Sequence, residues 1–138
     1  MHFSEMPMYK IVKEPFGFEL TFGDTVSADE LKHWRLESVR ALVGAPESFG
    51  VIFDLRTLRR NELDPEAQEM LAEGRELFMR AGMRRSCIIL DSAPITARYR
   101  RQAWETRGRS FERYLNAAAD PGWRAKAVAW IEQQIDPY

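Results

Sequence analysis

Two apolar runs constrain the fold more than any other feature of this chain. Residues 49–55 read FGVIFDL and residues 86–90 read SCIIL, and neither run alternates apolar with polar residues along its core. A strand that is covered on one face alternates in this way, whereas a strand that is covered on both faces is apolar throughout. The two runs therefore predict central strands of a sheet that has helices packed on it.

The segment between the two runs has the pattern of an amphipathic helix. Asp64 stands at the N-cap, and Pro65 stands at the first helical position, where its missing N–H costs nothing. Gly82 provides the stop. Residues expected on the buried face recur at helical spacing: Ala67, Met70, Leu71, Gly74, Leu77, Phe78 and Ala81. A strand, a helix and a second strand in this order predict a right-handed parallel crossover.

The remaining segments extend this pattern in both directions. MYKIVK (8–13) and GFELTFG (17–23) predict a hairpin, and a Ser27–Glu30 capping box opens a helix with Leu31 and Trp34 inward. Residues 95–107 predict a helix whose inward residues are Ala97 or Tyr99, then Ala103 and Trp104. SFERYL (110–115) fits either an edge strand or a continued helix. Pro121 opens a final helix.

These elements predict one α/β domain over residues 1–138, the usual length of a single domain. The expected architecture is a mixed sheet of four or five strands, with an N-terminal β-hairpin followed by β-α units, and with four helices. We find no internal repeat or linker that would divide the chain.

Composition excludes several classes of protein. The only cysteine, Cys87, allows no internal disulfide, which favours a reducing, cytoplasmic location. The apolar runs are too short to insert into a membrane, and the first ten residues lack the pattern of a secretory signal. Twenty basic residues against 21 acidic ones are not the strongly basic balance of a nucleic-acid module. We therefore expect no nucleic-acid partner and no membrane insertion.

The motifs of common catalytic and cofactor sites are missing from the sequence. No glycine-rich phosphate loop follows a strand, so we expect no nucleotide cofactor. His33 has no second His or Cys near it, which argues against a metal site and against a nucleophilic triad. Cys87 lies in a buried-strand pattern, where cysteine is usually an inert apolar residue. We expect neither catalytic residues nor cofactors.

The loops after the two apolar strands are the remaining candidate site. Ligands of open α/β sheets collect at the carboxyl ends of the strands, and arginines beside a helix N-terminus can bind anions. The candidate contacts for a partner or an anion lie in loop 55–63, in loop 91–96 and at the two helix starts: Arg56, Thr57, Arg59, Arg60, Asp64, Ser92 and Arg98. Alternatively, the carboxylates only cap backbone N–H groups and the arginines are solvated.

The strand GVIFDLR, the helix from Asp64 and the strand SCIILDS resemble the core of STAS-type domains. The whole β/α order is similar to that of SpoIIAA-like proteins, which share their architecture with Sec14-type lipid-binding domains. Relatives that act on anti-sigma factors carry a phosphorylatable serine at the start of the helix after this strand. Here that place reads Asp64-Pro65-Glu66-Ala67, so the resemblance implies the fold without the phosphorylation switch.

The sequence thus predicts a non-enzymatic, regulatory STAS-like module that binds a protein partner or a second copy of itself as a homodimer. The contact would use a helix face or loop 55–63. The alternative is a carrier of a small apolar or anionic, lipid-like ligand at the carboxyl ends of the strands. An enzyme that uses Asp54, Asp91 and Arg98 is a third reading, which nothing in the sequence requires.

Overall fold

The computed structural model describes residues 8–59, 64–105 and 108–138. Five strands are present in these residues: β1 (Tyr9–Glu14), β2 (Gly17–Phe22), β3 (Phe49–Asp54), β4 (Met83–Leu90) and β5 (Glu112–Asn116). The same residues contain four longer helices and one single-turn helix: α1 (Ala28–Leu42), α2 (Pro65–Ala81), α3 (Ala93–Glu105), the short α4 (Gly108–Phe111) and α5 (Trp123–Gln133).

The strands form one mixed sheet in the order β1-β2-β3-β4-β5. The hairpin strands β1 and β2 are antiparallel, and β2, β3, β4 and β5 are mutually parallel neighbours. This confirms the predicted α/β class and the predicted mixed sheet. The segment 110–115, which the sequence left open, divides between the two readings: α4 ends at Phe111 and strand β5 begins at Glu112.

Local capping explains where two of the helices begin. The Ser27 hydroxyl accepts from the Glu30 N–H at 3.1 Å, and a Glu30 carboxylate oxygen accepts from the Ser27 N–H at 3.1 Å. Asp64 Oδ1 accepts from the Ala67 N–H at 2.8 Å, directly before Pro65. Both starts are as predicted, because capping depends on neighbouring residues only.

The two faces of the sheet are covered unequally. The longer helices α1, α2 and α3 pack on one face, where Trp34 and Phe78 are fully buried. The other face packs against α5 through a smaller cluster: Phe16, Ile52, Cys87, Ile89, Leu115, Ala127, Trp130 and Ile131. Consecutive residues of β3 and β4 thus serve opposite cores, which explains why both strands are apolar throughout.

The predicted inward face of α3 was partly wrong. Trp104 is 70% exposed and Ala97 is exposed, whereas Thr96 and Ala103 are buried and Tyr99 is half-buried. The inward residues follow a spacing of three and four along the helix, and Trp104 stands one position, or about 100°, past that face. Ala81, expected in the buried face of α2, is also exposed.

In the described part of the chain, no helix has the length and apolar character that a bilayer-crossing segment needs.

Candidate ligand-binding cleft

A cleft of about 580 Å³ lies between α2 and α3, above the face of the sheet that carries the larger core. The sheet provides its floor through Phe53, Ile88 and Tyr114. The walls come from side chains of the two helices, most of them apolar or uncharged: Gln68, Leu71, Ala72 and Met79 from α2, and Tyr99, Gln102 and Ala103 from α3. This volume falls in the range of pockets that bind drug-sized molecules.

Helix packing explains why this space is left open. Helix α2 packs closely on α1, because Gly74 has no Cβ where one would lie 2.0 Å from Cζ3 of Trp34. Helix α3 packs instead on β5, where its Tyr99 ring lies 5.5 Å from the Tyr114 ring. The two helices therefore pack on different neighbours. Between them, the cleft lies over the sheet, and no helix of the described residues fills this space.

A buried carboxylate is part of the cleft lining. Glu112, in β5, is only 2% exposed, and its carboxylate accepts hydrogen bonds from three side chains. These donors are Nη2 of Arg75 at 2.5 Å, the Ser86 hydroxyl at 2.8 Å and the Tyr114 hydroxyl. A charge that is buried in this way must be paired and hydrogen-bonded, and both conditions are met here.

The other members of this cluster complement the carboxylate. Burial, together with the nearby Glu112 carboxylate, raises the pKa of the Tyr114 hydroxyl well above its ordinary value, so Tyr114 remains a donor. The Arg75 side chain reaches the cluster from α2; it lines the cleft, and 38% of it is exposed. The Arg75–Glu112 pair thus joins α2 to the edge strand.

Sequence reasoning missed both members of this ion pair. Glu112 was not among the predicted site residues, although its spacing of two from Tyr114 places both side chains on one face of β5. Arg75 follows Gly74 and precedes Phe78 by three positions, next to the buried face of α2. These spacings were the available signals, but neither identifies the partner, which is 37 residues away in the chain.

Arg56 and Arg59 of loop 55–63 do not line the cleft. Arg56 forms a two-point ion pair with the buried Asp54, with Nε–Oδ1 at 3.0 Å and Nη2–Oδ2 at 2.8 Å. Its guanidinium also lies 4.8 Å from the centre of the Trp123 ring. Thr57 and Arg59 are exposed. Arg60 lies outside the described residues.

The remaining predicted residues lie at helix starts or on the surface. Asp64 caps α2. The carbonyl of Ser92 accepts from the N–H of Thr96 at 2.9 Å, and its hydroxyl accepts from the N–H of Ile95 at 3.4 Å. Arg98 is an exposed residue of α3. The N–H of Leu55 donates to the carbonyl of Ile89, so the two loops follow adjacent strands.

Metal binding and thiol chemistry are the subject of two further features of the structure, the arrangement of its His, Cys, Asp and Glu side chains and the burial of Cys87. Residues 8–59, 64–105 and 108–138 contain no group of three or more His, Cys, Asp and Glu side chains placed to hold a metal ion. Cys87 is fully buried, and burial raises the pKa of its thiol to about 12. The reactive thiolate is therefore scarce at neutral pH.

Comparison with protein-family models and with curated proteins finds no match for this chain. Among solved structures, it is similar to an uncharacterized protein of the DUF3478 family, with a SpoIIAA-like fold, from Shewanella loihica PV-4. The TM-score is 0.62 at 16% sequence identity, and the match covers 89% of this chain and 91% of the other. The chain has a SpoIIAA-like fold, which confirms the resemblance seen in the sequence.

Proposed function

We propose that this protein is a non-enzymatic binding module that takes one small, mostly apolar molecule into the cleft between α2 and α3. The observation that supports this proposal is the cleft itself, with its volume of about 580 Å³ and its aromatic and aliphatic lining. A hydrogen-bonded cluster of Glu112, Arg75 and Tyr114 supplies polar groups to the lining. Apolar walls with a few placed polar groups are typical of small-molecule sites.

The geometry favours this function over the anion or partner contact predicted for loop 55–63. Recruiting Arg56 to a ligand would break its two-point ion pair with Asp54, which is only 4% exposed. Leaving a buried carboxylate without its partner is costly. Asp64 and Ser92 are likewise engaged in capping their helices. The protein-partner function stays a prediction, to be tested by affinity capture with an Arg56, Arg59 and Arg60 triple alanine variant.

Binding of Nile red, an uncharged dye that brightens in apolar surroundings, tests the proposed function. We expect saturable binding to the wild-type protein. Ala72→Phe places a ring in the cleft and should weaken binding by about tenfold or more. Ala97→Phe is the matched control, because Ala97 is an exposed alanine of α3 that does not line the cleft.

Two results would count against the proposed function. One is the absence of saturable Nile red binding to the wild-type protein. The other is equal binding by the wild-type protein and by a folded Ala72→Phe variant, which would place the dye elsewhere. Native mass spectrometry of gently purified protein provides a second measurement, since a bound molecule would appear as an added mass that Ala72→Phe reduces.

A further inference from the structure

The described ionisable side chains that line the cleft carry no excess of positive charge. Among the described lining residues they are Arg75, Glu76 and Glu112, apart from the tyrosines. Arg75 and Glu112 form an ion pair. A carboxylate oxygen of the exposed Glu76 lies 3.6 Å from Nη2 of Arg80, one turn further along α2. Each carboxylate thus has one cation beside it. An anion entering the cleft would add a negative charge that no further described lining residue offsets.

The hydrogen bonds of the cluster leave donors, and few acceptors, for a bound molecule. The Glu112 carboxylate already accepts from Arg75, Ser86 and Tyr114. The Tyr114 hydroxyl donates its hydrogen bond to that carboxylate. Within the described residues, the Arg75 guanidinium gives Glu112 only one of its N–H groups, while its side chain remains partly exposed at the cleft. Within this cluster, the polar group offered to a ligand is therefore the Arg75 guanidinium.

We infer that the ligand is an uncharged, mostly apolar molecule with a carbonyl-type oxygen that accepts a hydrogen bond from Arg75. This inference rests on the proposed function. A neutral acceptor gains a charge-assisted hydrogen bond from the guanidinium. A carboxylate would form an ion pair with the guanidinium, but it would lose more hydration on entering the cleft and would lie close to the Glu112 carboxylate, which repels it. Glu112 thus selects against anionic ligands, by repulsion rather than by a lack of donors.

Three naphthalenes of nearly the same shape test this selectivity in the wild-type protein by displacement of Nile red. 2-Acetylnaphthalene has a neutral carbonyl, 2-naphthoate has a carboxylate, and 2-ethylnaphthalene has no acceptor. We expect the ketone to bind about tenfold more tightly than either of the others at neutral pH, the range of a hydrogen bond to a charged group.

The Glu112→Gln variant tests the role of the buried carboxylate. Glutamine keeps an oxygen and an amide for the bonds to Tyr114, Arg75 and Ser86 but removes the negative charge. The affinity for 2-naphthoate should then rise by about tenfold, while that for the ketone changes by less than about twofold. Arg75→Met, added to Glu112→Gln in the same protein, should remove the tighter binding of the ketone and of 2-naphthoate relative to 2-ethylnaphthalene. The binding of 2-ethylnaphthalene itself should remain. A purely structural role of Glu112 would not remove the preference for the ketone over 2-naphthoate.

Each part of the inference can be overturned separately. Equal affinity of the wild-type protein for the ketone and 2-naphthoate overturns the selection by charge, and equal affinity for the ketone and 2-ethylnaphthalene overturns the role of the acceptor. Failure of all three to displace bound Nile red also overturns the inference, while the proposed function stands. These comparisons use only the wild-type protein. They therefore decide between the outcomes even if the Glu112→Gln variant does not fold.

Discussion

At the scale of single residues, Gly74 determines how closely α2 approaches α1. Its backbone lies against the Trp34 ring, which is only 1% exposed and which also packs on Phe22 and Phe78. An added Cβ would lie 2.0 Å from Cζ3 and 2.1 Å from Cη2 of that ring. Because the contacts are with the centre of a buried aromatic cluster, the ring has little room to move aside.

Gly74→Ala should therefore destabilise the protein by about 1–3 kcal/mol, the usual cost of overpacking a core. Alanine favours a helix over glycine by about 1 kcal/mol, so a position without this contact would become more stable instead. Urea unfolding measures the difference. The same substitution in a Trp34→Phe protein is the control, since the smaller ring should reduce the penalty. A Gly74→Ala protein as stable as wild type would contradict this packing.

Sequence patterns identified the apolar part of this region but not its charged part. Trp34, Gly74 and Phe78 were predicted to face inward because helical spacing alone places them there. Glu112 was not, because a charged residue in a strand usually faces water. It is buried here through donors from α2, β4 and β5 that come together only in the folded chain. No local pattern carries that information.

At the scale of elements, side chains form hydrogen bonds with backbone groups of the edge strand β5. The N–H of Tyr114 donates to the Tyr138 hydroxyl at 2.8 Å, and its carbonyl accepts from Nη2 of Arg100 at 2.9 Å. The carbonyl of Glu112 accepts from Nη1 of Arg113 at 3.0 Å. The Arg100 guanidinium also lies 4.1 Å from the centre of the Tyr138 ring. Groups that could pair with another strand are thus already bonded.

Removing the Tyr138 hydroxyl should weaken this protection of the edge. We expect Tyr138→Phe to lower the free energy of unfolding by about 1 kcal/mol, the usual contribution of one hydrogen bond. Tyr138→Ala should lower it further, because the ring contact with Arg100 is also lost. Sedimentation should then show more self-association than in Ile135→Ala, a control at an exposed residue nearby. Equal stability of Tyr138→Phe and wild type would show that the hydroxyl contributes nothing.

The predicted boundaries of the elements succeeded where a local signal fixes them. Ser27 and Asp64 were correctly placed because a cap involves residues three positions apart. The start of α3 was placed two residues too late, and Trp104 was wrongly placed inward. The orientation of α3 is set by its contact with β5, through Tyr99 and Tyr114, which the sequence of the helix does not encode.

At the scale of the whole molecule, folding keeps several weak acids protonated. Burial raises the pKa values of Cys87 and Tyr9 to about 12, and it raises that of Tyr114 as well. Above the ordinary pKa of each group the unfolded chain loses a proton that the folded chain retains. The folded state then binds more protons, so its stability is complete at neutral pH and falls as the pH rises.

Cys87 should account for a measurable part of this loss. The thiol ordinarily has a pKa of 9.0, so at about pH 10 it is mostly ionised in the unfolded chain and still protonated in the folded one. We expect this difference to lower the free energy of unfolding by about 1 kcal/mol between pH 7 and pH 10. Urea titrations at both values should show a smaller decline for Cys87→Ala than for wild type. Equal declines would contradict a protonated, buried thiol.

The sheet was predictable and the cleft was not, for a physical reason. Continuous apolar runs and alternating strands record which surfaces each segment buries, which was sufficient for a single mixed α/β sheet. The cleft depends on the distance between two helices. That distance follows from the contact of Gly74 with Trp34 on one side and of Tyr99 with Tyr114 on the other. Neither contact is between residues close together in the chain.

The cleft is lined by buried residues on its floor and by exposed helix residues on its walls, and substitutions at these two kinds of position have different consequences. Phe53 and Ile88 on its floor also belong to the central core, so a substitution there disturbs the sheet. Ala72 and Gln102 on its walls are exposed helix residues, where substitutions usually cost little stability. Under the proposed ligand-binding function, descendants of such a chain can therefore exchange wall residues and acquire new ligand preferences while the sheet is inherited unchanged.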